Sequence, residues 1–236
     1  MSSRGLQGTD APVPDARPAV GKASVRRDVE RAGVLDGRSG GGTLFTEPVL
    51  VVNQKPKVFD SRSEYLVYDR NGVTLGTVQQ LGPGVLRAAV TPTVRHRRRR
   101  LRVLDQHGRL VLQITRSAAV VKSTVTVHDA SGQLIGQVVQ KSMGIVGNVK
   151  FVLQSQGQDL ATLEGEGWST WDFAVKDGLG SEVARITRGR GGLATSLFRD
   201  SKRDKYVAEI SDLPQGPLRT LAVASCIAID TALRDS

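Results

Sequence analysis

The sequence predicts a mainly β protein, a closed antiparallel β-barrel built around a buried C-terminal α-helix. Three observations carry this. A unit of apolar alternation, polar Gly-containing turn and renewed alternation recurs through the middle of the chain. The stretch Leu218 to Arg234 (LRTLAVASCIAIDTALR) is apolar almost all round between residues 221 and 229, as in a helix that is wholly enclosed. So many hairpins in one sheet also leave exposed edges unless the sheet closes on itself.

In chain order, residues 1–43 read as a disordered N-terminal arm. They are poor in aromatics, mixed in charge, and end in Ser39-Gly40-Gly41-Gly42, a flexible linker composition. A short helix around Val25 to Leu35 fits the pattern but is marginal alone. The folded domain then occupies residues 44–236. With 39% hydrophobic and 24% charged residues, the chain has matter for a real core.

Five hairpins are readable within that domain: Leu66 to Gly76, Val103 to Leu112, Val127 to Gly136, Val152 to Leu160 and Val175 to Ala184. In four of them Asp (Asp69, Asp105, Asp129, Asp177) starts the turn and Gly (Gly72, Gly108, Gly132, Gly180) ends it. Asp bonds its own downstream backbone and Gly accepts positive φ, so the pairing has a mechanism. The flanking strands alternate, with Trp171, Phe173 and Val175 on one face and Asp172 and Ala174 on the other. Trp171 and Phe173 are expected against the helix.

Pro217 suits the first helical position. A helix from Leu218 runs ~24 Å at ~1.5 Å per residue. That is short of a bilayer core of ~30 Å, and Asp230 lies inside it. The length suits the bore of a strand barrel, so residues 218–234 are placed as its axle.

The net charge is +10, and it is concentrated. Residues 87–116 hold nine Arg against Asp105 alone, and the rest of the domain is balanced. The centre of this segment is Arg95, Arg97, Arg98, Arg99, Arg100 and Arg102, a density that attracts anions over roughly 8–10 Å in physiological salt. It fits contact with lipid phosphates or nucleic acid; the plain alternative is a solvated strand start in an Arg-rich proteome, with the Ala, Val and Gly usage of GC-rich bacterial coding. Nucleic-acid binding by stacking wants interleaved aromatics, and no Phe, Tyr or Trp lies between Tyr68 and Phe151. Trp168 is a candidate for a membrane interface.

No catalytic set assembles. His96 sits among arginines, and His107 and His128 sit in or beside turns, without partners at metal spacing. Gly189 to Gly192 lacks the Gly-Lys-Ser/Thr of a P-loop. Glu164 and Glu166 form a carboxylate pair or simply alternate at a surface. The lone Cys226 reads as a small core residue. A single cysteine and an N-terminus without an apolar h-region point to a cytoplasmic protein without a signal peptide.

Several segments together carry a family likeness: Leu50 to Lys55 (LVVNQK), Leu101 to Asp105 (LRVLD), Val138 to Lys141 (VVQK), Trp168 to Phe173 (WSTWDF), Val183 to Thr187 (VARIT) and Leu221 to Asp230. With the Asp/Gly hairpins, they make residues 44–234 resemble the phospholipid scramblase family and its tubby-like and LURP-one-related relatives. The resemblance implies a twelve-stranded barrel enclosing the terminal helix. It also implies binding of anionic lipid and movement of phospholipids between leaflets, often with Ca²⁺ as cofactor. The family's Ca²⁺ stretch falls at Phe198 to Tyr206 (FRDSKRDKY), where Asp200 and Asp204 are the weak metal candidates. Arg199, Lys202, Arg203 and Lys205 surround them, and Ca²⁺ wants more oxygens than this. The family's lipid-modified cysteine cluster has no counterpart.

The expected function is therefore a scramblase-like protein with no enzymatic constellation, peripheral at the inner face of the plasma membrane. Its expected partner is an anionic phospholipid surface, met by the six arginines. The alternative is a regulatory or scaffold module that binds a protein or nucleic acid through the same segment.

Overall fold

A computed structural model describes residues 22–34, 40–54, 63–81, 99–117, 123–143, 149–165, 172–188, 205–211 and 213–233. The chain opens with helix α1 (Lys22–Arg31). The barrel strands are β1 (Val49–Gln54), β2 (Ser63–Tyr68), β3 (Thr74–Leu81), β4 (Arg99–Asp105), β5 (Leu110–Arg116) and β6 (Thr124–Asp129). They continue with β7 (Leu134–Met143), β8 (Val149–Ser155), β9 (Gln158–Gly165), β10 (Asp172–Asp177), β11 (Glu182–Arg188) and β12 (Lys205–Ile210). Helix α2 (Pro217–Leu233) follows. Each strand pairs antiparallel with its neighbours in sequence, and β1 pairs with β12 to close the ring. The fold class expected from the sequence is borne out.

All five hairpins stand where the pattern put them, and the turn chemistry explains them. Oδ1 of Asp105 accepts from the backbone N–H of His107 and Arg109, both at 2.9 Å. Asp69 does the same for Asn71 and Val73, and Asp177 for Leu179 and Ser181. Gly72, Gly108, Gly132 and Gly180 each take φ between 77° and 90°, which L-residues rarely adopt. The β8–β9 hairpin has no Asp at the start of its turn and turns in two residues, Gln156 (φ 51°) and Gly157 (φ 78°), the paired positive φ of a type I′ turn.

Inside the barrel, alternate strand residues form one apolar core with α2. Val103, Leu112, Ile114, Val127, Leu153, Phe173 and Val175 are buried there, with Leu221, Val223, Cys226 and Ile227 of the helix. Phe173 and Val175 are buried on the inner face of β10, in the core that α2 shares; Trp168 and Trp171 lie outside the described residues. The helix comes close to β7 at Gly136, where a Cβ would collide with the Gln154 carbonyl of β8 and meet Leu221 Cδ1 of α2 at 3.0 Å.

A second, smaller cluster lies on the outside. Val25 and Val29 of α1 cover the outward residues Val49, Val51, Leu66, Tyr68 and Val207. Lys205 Nζ of β12 bonds Asp28 Oδ2 at 2.8 Å and Ser24 Oγ at 2.9 Å. A ten-residue helix is marginal in water. Burying its two valines contributes roughly 1.5 kcal/mol or more each, and that docking holds it. Residues 22–34, read from the sequence as part of a free arm, are thus seated on the barrel wall.

Candidate functional site

Because the strands run up and down in sequence order, their connections alternate between the two ends of the barrel. Five tight turns and the start of α2 occupy the turn end. The pairs β1–β2, β3–β4, β5–β6, β7–β8, β9–β10 and β11–β12 have their joined strand ends at the opposite, loop end.

Of the arginine segment, Arg99, Arg100 and Arg102 stand at the loop-end start of β4. Arg95, Arg97 and Arg98 lie outside the described residues, as do Asp200, Asp204, His96 and Glu166. Arg99 opens β4. Leu101 and Val103 point into the core, so Arg100 and Arg102 project from the outer wall. Arg100 is exposed beside Leu81 and Thr115, and Arg102 is half-buried between Gln79 and Gln113.

Arg99 has the inward parity and lies opposite Arg116 of β5. Arg116 is buried, and its Nε–H donates to Ser123 Oγ at 3.0 Å. Ser123 N–H in turn donates to Oε1 of buried Gln140 on β7 at 3.1 Å. The inner wall across β4 to β7 therefore changes character at its last rung. Below it lie Leu101, Ile114, Val125 and Val138; at the mouth lie Arg99, Arg116, Ser123 and Gln140. Sequence reasoning counted Arg116 only as charge. The signal was there: it continues the inward series Leu112, Ile114.

Other candidates are absorbed by structure. Glu164 pairs with Lys150 at 2.8 Å and Lys176 at 3.8 Å on the outer wall. The Lys150 hydrogen bond holds its carboxyl below the usual range, so it fastens strands rather than serving as an acid. Arg185 ties Asp172 and Glu182 together. Cys226 is fully buried, and burial pushes its thiol up to about 12, the reverse of a reactive thiolate. Among the described residues no group of His, Cys, Asp or Glu is arranged to hold a metal. A cleft of about 230 Å³ beside the start of α2 is walled by Phe45, Val111 and Ile135, and its charged residue, Arg219, donates to backbone carbonyls.

The barrel wall carries Gln113, Thr115, Thr126, Gln137, Lys150, Gln154 and Lys176 outward and apolar residues inward. A membrane-spanning barrel has the opposite order. Among the described residues no helix is long and apolar enough to cross a bilayer.

A scramblase family model matches residues 57–233, well over half of the chain and nearly all of the barrel with its axle. The chain belongs to the scramblase family. A phospholipid scramblase family protein of Schizosaccharomyces pombe is 21% identical over 188 residues, covering 73% of this chain. This scramblase chain spans about half (49%) of the length of that curated relative. A solved Arabidopsis thaliana protein aligns with 81% of this chain and 99% of its own, at 16% identity and a TM-score of 0.47. Membership of the scramblase family points to a function connected with phospholipids.

Proposed function

We propose that this protein binds anionic phospholipid at the loop end of its barrel and acts at the membrane surface, with movement of phospholipids between leaflets as the family activity to be tested. The observation that carries the reading is the placement of Arg100 and Arg102 on the outer wall where β4 leaves the loop end. The chain just ahead of them supplies Arg95, Arg97 and Arg98. Guanidinium groups match phosphate oxygens with paired donors. Near an anionic leaflet each adds about 1 kcal/mol.

The polar outer wall and the enclosed axle suit a protein that approaches a bilayer from one side. On this reading the protein sits peripherally on the inner face of the plasma membrane, where anionic lipid is concentrated. Asp200 and Asp204 are the residues to examine if Ca²⁺ modulates binding.

The test is co-sedimentation with vesicles of phosphatidylserine and phosphatidylcholine, or phosphatidylcholine alone, at two salt concentrations, with and without Ca²⁺. Binding that needs the anionic lipid and weakens with salt is expected. Replacing Arg97, Arg98, Arg100 and Arg102 with Gln should reduce it at least tenfold. Unchanged binding of that variant removes the arginine assignment. Absence of vesicle binding, with a salt-sensitive shift of labelled nucleic acid or capture of a protein by the same segment, favours a regulatory module instead.

A further inference from the structure

We propose that the outer face of α1 is a second, separate contact for an anionic lipid surface. The inference rests on the phospholipid reading but names residues away from the arginine segment. The helix has two faces of different chemistry. Val25, Asp28 and Val29 are buried against the barrel, while Lys22, Arg26, Arg27, Glu30 and Arg31 are exposed.

The placement of Asp28 decides the charge of the outer face. Its carboxylate turns inward and is neutralised by Lys205 at 2.8 Å. The exposed face is left with four cations against Glu30 alone. Lys22 and Arg26 stand four residues apart, as do Arg27 and Arg31. Like charges at that spacing oppose helix formation, and the short helix carries them only because the barrel holds its other side.

The face fits a lipid surface better than a folded partner. It offers flexible cations and no exposed aromatic anchor. Electrostatic attachment to a charged leaflet needs no shape complementarity, and it scales with the number of basic residues near the surface. Lys22 lies against Gly72 of the β2–β3 turn, and Asp28 bonds Lys205 at the loop-end start of β12, so the helix spans the wall between the two ends. Arg100 and Arg102 lie at the loop-end start of β4. α1 lies over β1, β2 and β12, and Arg100 and Arg102 lie on β4, so contact of both regions would set the orientation of the protein on the leaflet.

The experiment uses the full chain and phosphatidylserine–phosphatidylcholine vesicles. Arg26, Arg27 and Arg31 are changed together to Gln, and in a second variant to Lys. The Gln variant is expected to lose about tenfold or more in vesicle affinity, and the Lys variant to keep wild-type affinity. In parallel, a fluorophore on Ala23→Cys, with Cys226 buried and silent, is expected to be quenched by headgroup-labelled lipid. If the wild type binds while the Gln variant binds equally well and the helix fluorophore is not quenched, the α1 contact is overturned and the arginine-segment reading stands. If the wild type does not bind at all, both fall.

Discussion

Arg219, the third residue of α2, donates from Nη2 to the backbone carbonyl of Glu47 ahead of β1 at 3.0 Å. The same guanidinium bonds the carbonyls of Phe45, Leu213 and Ser211. One buried side chain thus ties the start of the axle to both segments that close the barrel at the turn end. Arginine alone has a rigid, planar set of donors wide enough for this.

Replacing Arg219 with Met keeps the aliphatic stem but strips those carbonyls of their donor. An unsatisfied buried polar group costs about 1–3 kcal/mol, and the bonds act together, so a loss of roughly 3 kcal/mol or more is expected. Urea denaturation followed by near-UV circular dichroism measures it. A loss below about 0.5 kcal/mol, the range of ordinary surface changes, would show that the axle is held by apolar packing alone.

The close approach of α2 to β7 gives a second prediction. A Cβ at Gly136 collides with the Gln154 carbonyl and presses on Leu221. Backbone cannot yield as a side chain end can, so Gly136→Ala should cost about 1–3 kcal/mol. Gly178, in the β10–β11 turn, has nothing within 4 Å, and Gly178→Ala should stay within about 0.5 kcal/mol. Thermal melts of the two variants side by side check the contrast.

Acid stability follows from the turns. At Asp129 the Ser131 hydroxyl, with the Gln133 amide, holds the carboxyl below its ordinary value. At Asp105 partial desolvation works upward, but bonds from Arg109 and His107 outweigh it and the carboxyl again lies low. A carboxyl depressed in the folded state contributes stability that is full above the unfolded pKa, about 3.9. That contribution is lost as pH falls through the folded value. Stability should therefore decline as pH falls below about 5, through the unfolded value and on through the lower folded values. Asp129→Asn, which keeps an acceptor oxygen but cannot titrate, should lose less over that interval. Equal losses would assign the acid sensitivity to other groups.

These turns also explain how much of the fold was legible. Asp69, Asp105, Asp129 and Asp177 act on backbone two and four residues away, so four hairpins are encoded locally and read directly. The axle was legible because residues 221–228 are apolar in almost every direction. The seating of α1 was not, because it depends on Val49, Val51, Leu66, Tyr68 and Val207, brought together only by the closed sheet. A trace of it exists in Val49 to Val52, a run apolar on both faces where a one-sided strand would alternate. At the loop end, charge marked the arginine segment, but which arginines line the mouth depends on strand parity and register. That is why Arg116 and Gln140 emerged only with the structure.

Cys226 gives a direct test of whether the axle stays in place during function. The thiol is fully buried at the centre of α2, between Ser225 and Ile227. In water alone it should resist a maleimide reagent until the protein is unfolded in urea. If phospholipid contact involved drawing α2 out of the barrel into lipid, the lining around Leu112, Ile114, Val127 and Phe173 would lose its packing, and the thiol would become accessible. Emptying such a core forfeits apolar burial on both surfaces, at about 25 cal/mol per Å². A leaflet returns that burial to the helix but not to the barrel. The expected outcome is that labelling of Cys226 stays as slow with phosphatidylserine vesicles as without them, while the protein co-sediments. Labelling that accelerates manyfold on vesicle addition, with circular dichroism still native in the unbound protein, would mean that the axle leaves, and the surface-bound arrangement would give way to an inserted one.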